Sequence, residues 1–182
     1  MGRPKKFNRD DVLDQVALVF WKNGFKGTTL HDLEKATGVN KSGLYSEFKN
    51  KEDLYFASLD RYISNLVAAS PLMDEPLGYK NIERFFKRKP CRARKGCFCI
   101  NTMRELPALP RKVNEMVTET MAGVRLALIK NIAAEQPRMD PEAIADFVLT
   151  NFIGYHLEQN LAGAEKSSPR KLRNLMRILR SL

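Results

Sequence analysis

The chain lacks most of what a secreted, membrane-spanning or catalytic protein needs. Its three cysteines, Cys91, Cys97 and Cys99, crowd within nine positions instead of spreading as a disulfide framework does, which fits a reducing compartment. No apolar run approaches the roughly 20 residues of a membrane span, and no N-terminal signal pattern precedes the first amphipathic stretch. A cytoplasmic protein without a membrane partner is expected. The two histidines, His31 and His156, do not combine with the cysteines at the paired spacing of structural zinc sites, so neither a metal nor another cofactor is expected. No oxyanion motif, phosphate-cradling glycine loop or pair of carboxylates on one face is present. Cys97 with His156 is the one conceivable nucleophile pair, and nothing assembles around it, so the chain is not read as an enzyme. Repeats, low-complexity tracts and period-two strand patterns are missing too.

Positive charge is abundant but misplaced for a simple argument. Lys and Arg number 31 against 21 Asp and Glu, a net of +10. Yet residues 1–60 hold ten basic and nine acidic side chains, a net of only +1. The excess lies in 80–95 and 166–180. Net charge therefore gives no support to nucleic-acid binding by the N-terminal part, where local placement of cations decides.

The pattern that is present is helical throughout. Residues 9–23 carry Val12, Val16 and Phe20 on one stripe with Leu13, Ala17 and Trp21 beside it, and Gly24 ends the run. Residues 28–48 then read as a helix-turn-helix. Leu30, Leu33 and Ala36 recur every third position. Thr28 and Thr29 stand where a hydroxyl can cap free amides. Gly38 supplies the left-handed turn. Asn40 or Ser42 can cap a second short helix, whose Val39, Leu44 and Phe48 pack back on the first. Its outward face bears Lys41, Ser42, Gly43, Tyr45 and Ser46, small or polar groups suited to a major groove. Gly2-Arg3-Pro4-Lys5-Lys6 forms a basic arm that can reach phosphates or a minor groove. Lys51, at the start of the next helix (51–69), can hold a phosphate together with the amides there. The DNA-contacting set is thus Arg3, Lys5, Lys6, Thr28, Thr29, Asn40, Lys41, Ser42, Gly43, Tyr45, Ser46 and Lys51.

These residues resemble the DNA-binding head of the tetracycline-repressor (TetR) family of bacterial regulators. The matching pieces are Ala17-Leu18-Val19-Phe20-Trp21-Lys22-Asn23-Gly24-Phe25, Gly27-Thr28-Thr29-Leu30, Ala36-Thr37-Gly38-Val39, Ser42-Gly43-Leu44-Tyr45 and Phe48-Lys49-Asn50-Lys51-Glu52-Asp53-Leu54. Their order and spacing make a specific signal over about the first seventy residues. The resemblance implies an all-α fold: a three-helix head at 1–50, helix 51–69 connecting, and a helical body at 70–182 for effector binding and dimerisation. It also implies a ligand-responsive regulator, most simply a repressor, that binds a palindromic double-stranded operator as a homodimer and leaves it on binding a small-molecule effector.

The body is read less sharply. Helices are expected over 79–88, from Cys97 to near Leu106, from 111 to about 135, from Pro141 (capped by Asp140) to about 161, and from Pro169 to Leu182. Val113, Met116, Val117, Met121, Val124, Leu126 and Leu128 are the apolar positions of the long one. A two-fold mate can pack on either side of the helix after Asp140: on Leu149, Phe152, Ile153 and Leu157, or on Phe147, Asn151 and Gly154. Phe98, Asn101, Met103, Met116, Met121, Phe152, Tyr155 and His156, with Phe85 and Phe86, are the candidates for an apolar effector pocket, though each equally suits a core. Cys97, at a helix start beside Arg94 and Lys95, has the surroundings that lower a thiol's pKa, which admits an oxidant- or electrophile-sensing regulator; the alternative is a buried apolar cysteine. The basic stretch 87–95 leaves a third reading open, an interaction protein that binds polyanions without sequence choice.

Overall fold

Local caps set the first fifty residues. The structure, a computed structural model, describes residues 7–88, 96–161 and 164–182, the last stretch with side chains from Ser168 onward. Helix α1 (Arg9–Gly27) starts where the Asn8 side chain accepts the Asp10 amide at 2.8 Å, with Asp10 and Asp11 in its positively polarised first turn. Its ladder breaks at Gly24, whose φ of 74° and ψ of 172° leave a separate final turn at 25–27. Helix α2 (Leu30–Thr37) begins with a capping box: the Thr29 amide donates to Asp32 Oδ2 at 2.8 Å, and the Asp32 amide returns a bond to Thr29 Oγ1 at 3.2 Å. Gly38, at φ 67°, closes it. Helix α3 (Lys41–Glu47) and helix α4 (Lys51–Ala68) are capped by Asn40 and Asn50.

Burial then assembles the caps into a head. Val12, Leu13, Val16, Phe20 and Trp21 of α1 face Leu33, Leu44, Phe48, Leu54, Tyr55 and Leu59, all inside one continuous core. Phe20 meets Tyr55 edge-on at 4.8 Å and Trp21 meets Tyr62 at 5.2 Å, fastening α1 along α4. Arg61 of α4 closes the seam outside with bonds to Asp14 and Asp10. Ala36, expected on the inner face of α2, is exposed instead. An eight-residue helix has only about two turns, and Leu33 already fills the contact.

The remaining helices build the body. They are α5 (Tyr79–Lys87), α6 (Phe98–Thr102), α7 (Arg111–Ala133), α8 (Pro141–Glu158) and α9 (Ala164–Leu179), with 3-10 turns at Pro71–Met73 and Leu106–Ala108. Among the described residues there is no strand, so the chain is all-α, an N-terminal helix-turn-helix followed by a helical bundle. Asp140 caps α8 as expected, accepting the Glu142 and Ala143 amides, with Pro141 in the first turn. Asn131 of α7 is the polar hinge-pin of the bundle. Fully buried, it donates to the Leu72 and Ala127 carbonyls and accepts from the Gly78 amide and the Asn81 side chain.

Four expectations for the body need correction. Helix α6 ends at Thr102, short of Leu106. Helix α8 stops at Glu158, short of 161. Helix α9 starts at Ala164 and runs through Pro169, which stands inside the helix rather than opening it. Leu126, expected among the apolar positions of α7, is 59% exposed, because α7 turns that side away from the bundle.

Candidate nucleic-acid interface

Two buried side chains hold α3 to the head. Leu44 is fully buried on the core side of a seven-residue helix, and Phe48, the residue that ends it, is nearly so. The turn before it is tightly bonded. Thr37 Oγ1 donates to the Leu33 carbonyl at 2.8 Å and accepts the Val39 amide at 3.2 Å. Asn40 takes the Gly43 amide at 2.9 Å, and the Glu34 carboxylate takes the Lys41 amide at 2.5 Å. The opposite side of the helix is left to solvent: Lys41, Ser42 and Ser46 are exposed and Tyr45 is half-buried. No acidic residue occupies the first turn of α3. A rigid short helix thus presents a cation, two hydroxymethyl groups and a phenol on one surface.

Other expected contact residues fall into place differently. Thr29 is exposed and caps α2, where its bonds hold the Asp32 carboxyl below the usual carboxylate range. Thr28 is a correction. It is 1% exposed, and its hydroxyl donates to the Gly24 carbonyl at 2.6 Å, because the break in α1 turns it inward. Gly43 is needed for the chain's own packing: a Cβ there would stand 2.7 Å from Val39 Cγ1 and 3.2 Å from Asn40 Oδ1. Asn40 is exposed but spends its oxygen on the cap. Lys51 is half-buried, its ammonium 4.6 Å from the centre of the Phe25 ring, beside the start of α4. Arg3, Lys5 and Lys6 lie outside the described residues. Glu34 is a residue that sequence reading missed, although its seven-residue separation from Lys41 spans only the turn.

The body candidates do not converge on one site. Phe98 packs toward the head, in rings with Trp21 at 6.2 Å, Tyr55 at 5.5 Å and Tyr62 at 5.7 Å. Phe152, Tyr155 and His156 form a second cluster with Phe85 and Phe86. Asn101 lines a cleft of about 420 Å³ between α1 and α6, and its Oδ1 accepts from Asn160 at 3.0 Å. Met103, Met116 and Met121 are half-buried at the edge of the core.

Cys97 takes the second of its two readings, the buried cysteine. It is 3% exposed, and burial pushes its thiol up, away from the thiolate, despite a bond donated by the Tyr62 hydroxyl at 3.4 Å. Desolvation outweighs the helix-end amides that suggested reactivity. Arg94, Lys95 and Cys91 lie outside the described residues, as does most of the basic stretch. His156 is a buried core histidine; burial lowers its pKa to about 4, and a hydrogen bond with the Gly96 backbone opposes that shift. Neutral thiol and neutral imidazole are the reverse of a catalytic thiolate pair. Among the described residues no cluster of His, Cys, Asp and Glu could hold a metal, and no helix is long and apolar enough to cross a membrane.

Comparison with known proteins bears on the same segment. Residues 12–57 match the model of the bacterial regulatory proteins, tetR family. The HTH-type transcriptional repressor ComR of Escherichia coli is 51% identical over 67 residues, 37% of this chain and 32% of ComR. The uncharacterized HTH-type transcriptional regulator YezE of Bacillus subtilis is 33% identical over 110 residues, 56% of each chain. The chain thus spans about a third to a little over half of these relatives' length. Among solved structures, a cysteine mutant of the TetR family transcriptional regulator CifR, complexed with 26-base-pair operator DNA, superposes with a TM-score of 0.75 at 23% identity, over 98% of this chain and 99% of that one. That likeness establishes the fold.

Proposed function

We propose that this protein, whose head matches the tetR family of bacterial regulatory proteins over residues 12–57, is a DNA-binding transcription regulator that acts as a repressor. One observation carries the proposal. Helix α3 is fixed from behind by Leu44 and Phe48 and offers Lys41, Ser42, Tyr45 and Ser46 to the outside. In this reading those four side chains enter the major groove, while Thr29, Lys51 and the basic arm hold the phosphate backbone. Residues 1–50 serve as the reading head, 51–69 connect, and 70–182 form the body.

The body's role is dimerisation and response to a small molecule. Of the two sides of α8 open to a mate, Phe152 is buried and Leu149, Ile153 and Leu157 are half-buried, whereas Phe147, Asn151 and Gly154 are exposed. With Ile178 of α9 they border an apolar cleft of about 400 Å³, and nothing lies within 4 Å of a Cβ placed on Gly154. This supports an isologous α8–α9 interface, which would set two heads roughly 34–36 Å apart for a palindromic operator. An effector that favours another packing of the body would change that spacing and release the DNA.

The test is selection of bound sites from a random pool of double-stranded DNA. A recovered palindrome supports the reading. Retention of DNA without any enriched sequence would assign the protein to non-specific polyanion binding instead.

A further inference from the structure

We infer that Glu105 is a positioning residue through which the body fixes the attitude of the reading head; the inference rests on the DNA-reading role of α3. Glu105 lies beyond α6 and opens the 3-10 turn Leu106–Ala108, yet its side chain reaches the head. Oε2 accepts the Phe25 amide at 2.8 Å and the Lys26 amide at 3.3 Å. Both amides directly follow the break of α1 at Gly24, where the chain begins a new turn, and the leading amides of a helical turn have no partner within it. A charged acceptor from 80 positions away meets them.

The contact gains leverage from the chain just beyond Lys26. The Thr28 amide bonds back to the Phe25 carbonyl at 3.4 Å, the Thr28 hydroxyl bonds the Gly24 carbonyl, and Thr29 then caps α2. The helix-turn-helix therefore hangs from a turn whose free end is closed by the body. A side chain at position 24 would displace the carboxylate: a Cβ would lie 2.7 Å from Glu105 Oε1, and the φ of 74° already favours glycine.

The C-terminal end of α6, next to Glu105, is tied on two further sides. The Tyr55 and Thr102 hydroxyls meet at 2.7 Å, joining α4 to α6, and Asn160, just past α8, donates to Asn101 at 3.0 Å. Helix α8 carries the proposed dimer face. Sliding α6 by about 1 Å against α1 would carry both Glu105 bonds past hydrogen-bonding distance. A rearrangement of the body is thereby converted into a loosened or re-aimed head, without any contact between effector and DNA-reading residues.

The experiment compares Glu105→Ala, Glu105→Asp and Glu105→Gln with wild type in the full chain, reading amide exchange at Phe25 and Lys26 and affinity for the selected palindrome. Glu105→Ala should speed exchange at those two amides at least tenfold, leave exchange in α7 unchanged, and shift operator affinity at least tenfold. Glu105→Asp, one methylene too short, should resemble Ala. Glu105→Gln keeps an acceptor oxygen and should fall between Ala and wild type; it serves as the decisive variant if Ala melts the protein. Arg125→Ala, which removes surface bonds to Asp146 and Glu142, should move neither readout. Unchanged exchange at both amides, or operator affinity within twofold of wild type across the series, overturns the inference. A wild-type protein that selects no DNA sequence would defeat the DNA-reading role before any variant is made, and the exchange measurements would still decide whether Glu105 secures the turn.

Discussion

Tyr55 on α4 and Thr102 on α6 share a buried hydrogen bond of 2.7 Å across 47 positions of sequence. Its direction is set by the neighbours. Thr102 has one hydroxyl hydrogen and gives it to the Phe98 carbonyl at 2.9 Å, so the Tyr55 phenol is the donor and the threonine oxygen the acceptor. The two partners are therefore unequal. Tyr55→Phe leaves Thr102 still bonded and should cost about 0.5–1.5 kcal/mol, whereas Thr102→Val strands a buried phenol and should cost about 1–3 kcal/mol more than a neutral change. Chemical denaturation of the two variants checks the order; equal losses would mean that the phenol finds another partner.

Helix α3 separates stability from recognition residue by residue. Leu44→Ala empties a fully buried site and should lower stability by about 2–5 kcal/mol. Ser46→Ala, on the exposed side, should leave stability within about 0.5 kcal/mol. Lys41→Ala should also keep the melting temperature while weakening DNA binding about tenfold and reducing the salt slope by about one.

Gly43→Ala tests the turn itself. The added methyl meets Val39 and Asn40, so the cap on α3 must shift. A loss of about 1–3 kcal/mol is expected from such overpacking, with DNA affinity falling alongside it. A stable Ala variant with wild-type DNA affinity would show that the turn has more room than this geometry gives it.

Acid should destabilise the protein through His156. Its folded pKa of about 4 lies below the ordinary 6.5, because the buried ring resists charging. Between those values the unfolded chain binds the extra proton, so stability is full above pH 6.5 and falls as pH drops toward 4. The loss from this one group is about 3 kcal/mol, in order of magnitude. Denaturation of wild type and His156→Phe at pH 7 and pH 4.5 measures it: the difference in stability between the two pH values should shrink in the variant.

Local features were the ones legible in the sequence. Thr29, Gly38, Asn40 and Asp140 act within four residues of themselves, so spacing and residue type were enough to place them. Of the adjacent threonines, spacing alone left open which one caps. The break at Gly24 decides it, turning Thr28 inward and leaving Thr29 at the helix start. For Cys97 the sequence leaves two readings open for a similar reason. The chain shows basic neighbours in sequence, but the packing of Tyr62 and the core that desolvates the thiol comes from elsewhere. Glu105 had no local signal at all, since the amides that it closes lie 79 and 80 positions earlier. The effector candidates failed to converge because apolar composition does not say which of two aromatic clusters a ring will join.

The most direct measurement titrates the selected palindrome with wild-type protein and with Lys41→Ala and Tyr45→Ala, each in excess random-sequence DNA. The account predicts that wild type stays on the palindrome and that both variants, still folded, lose at least tenfold in affinity. Wild type stripped from the palindrome by random DNA, or variants that bind as tightly as wild type, would contradict it.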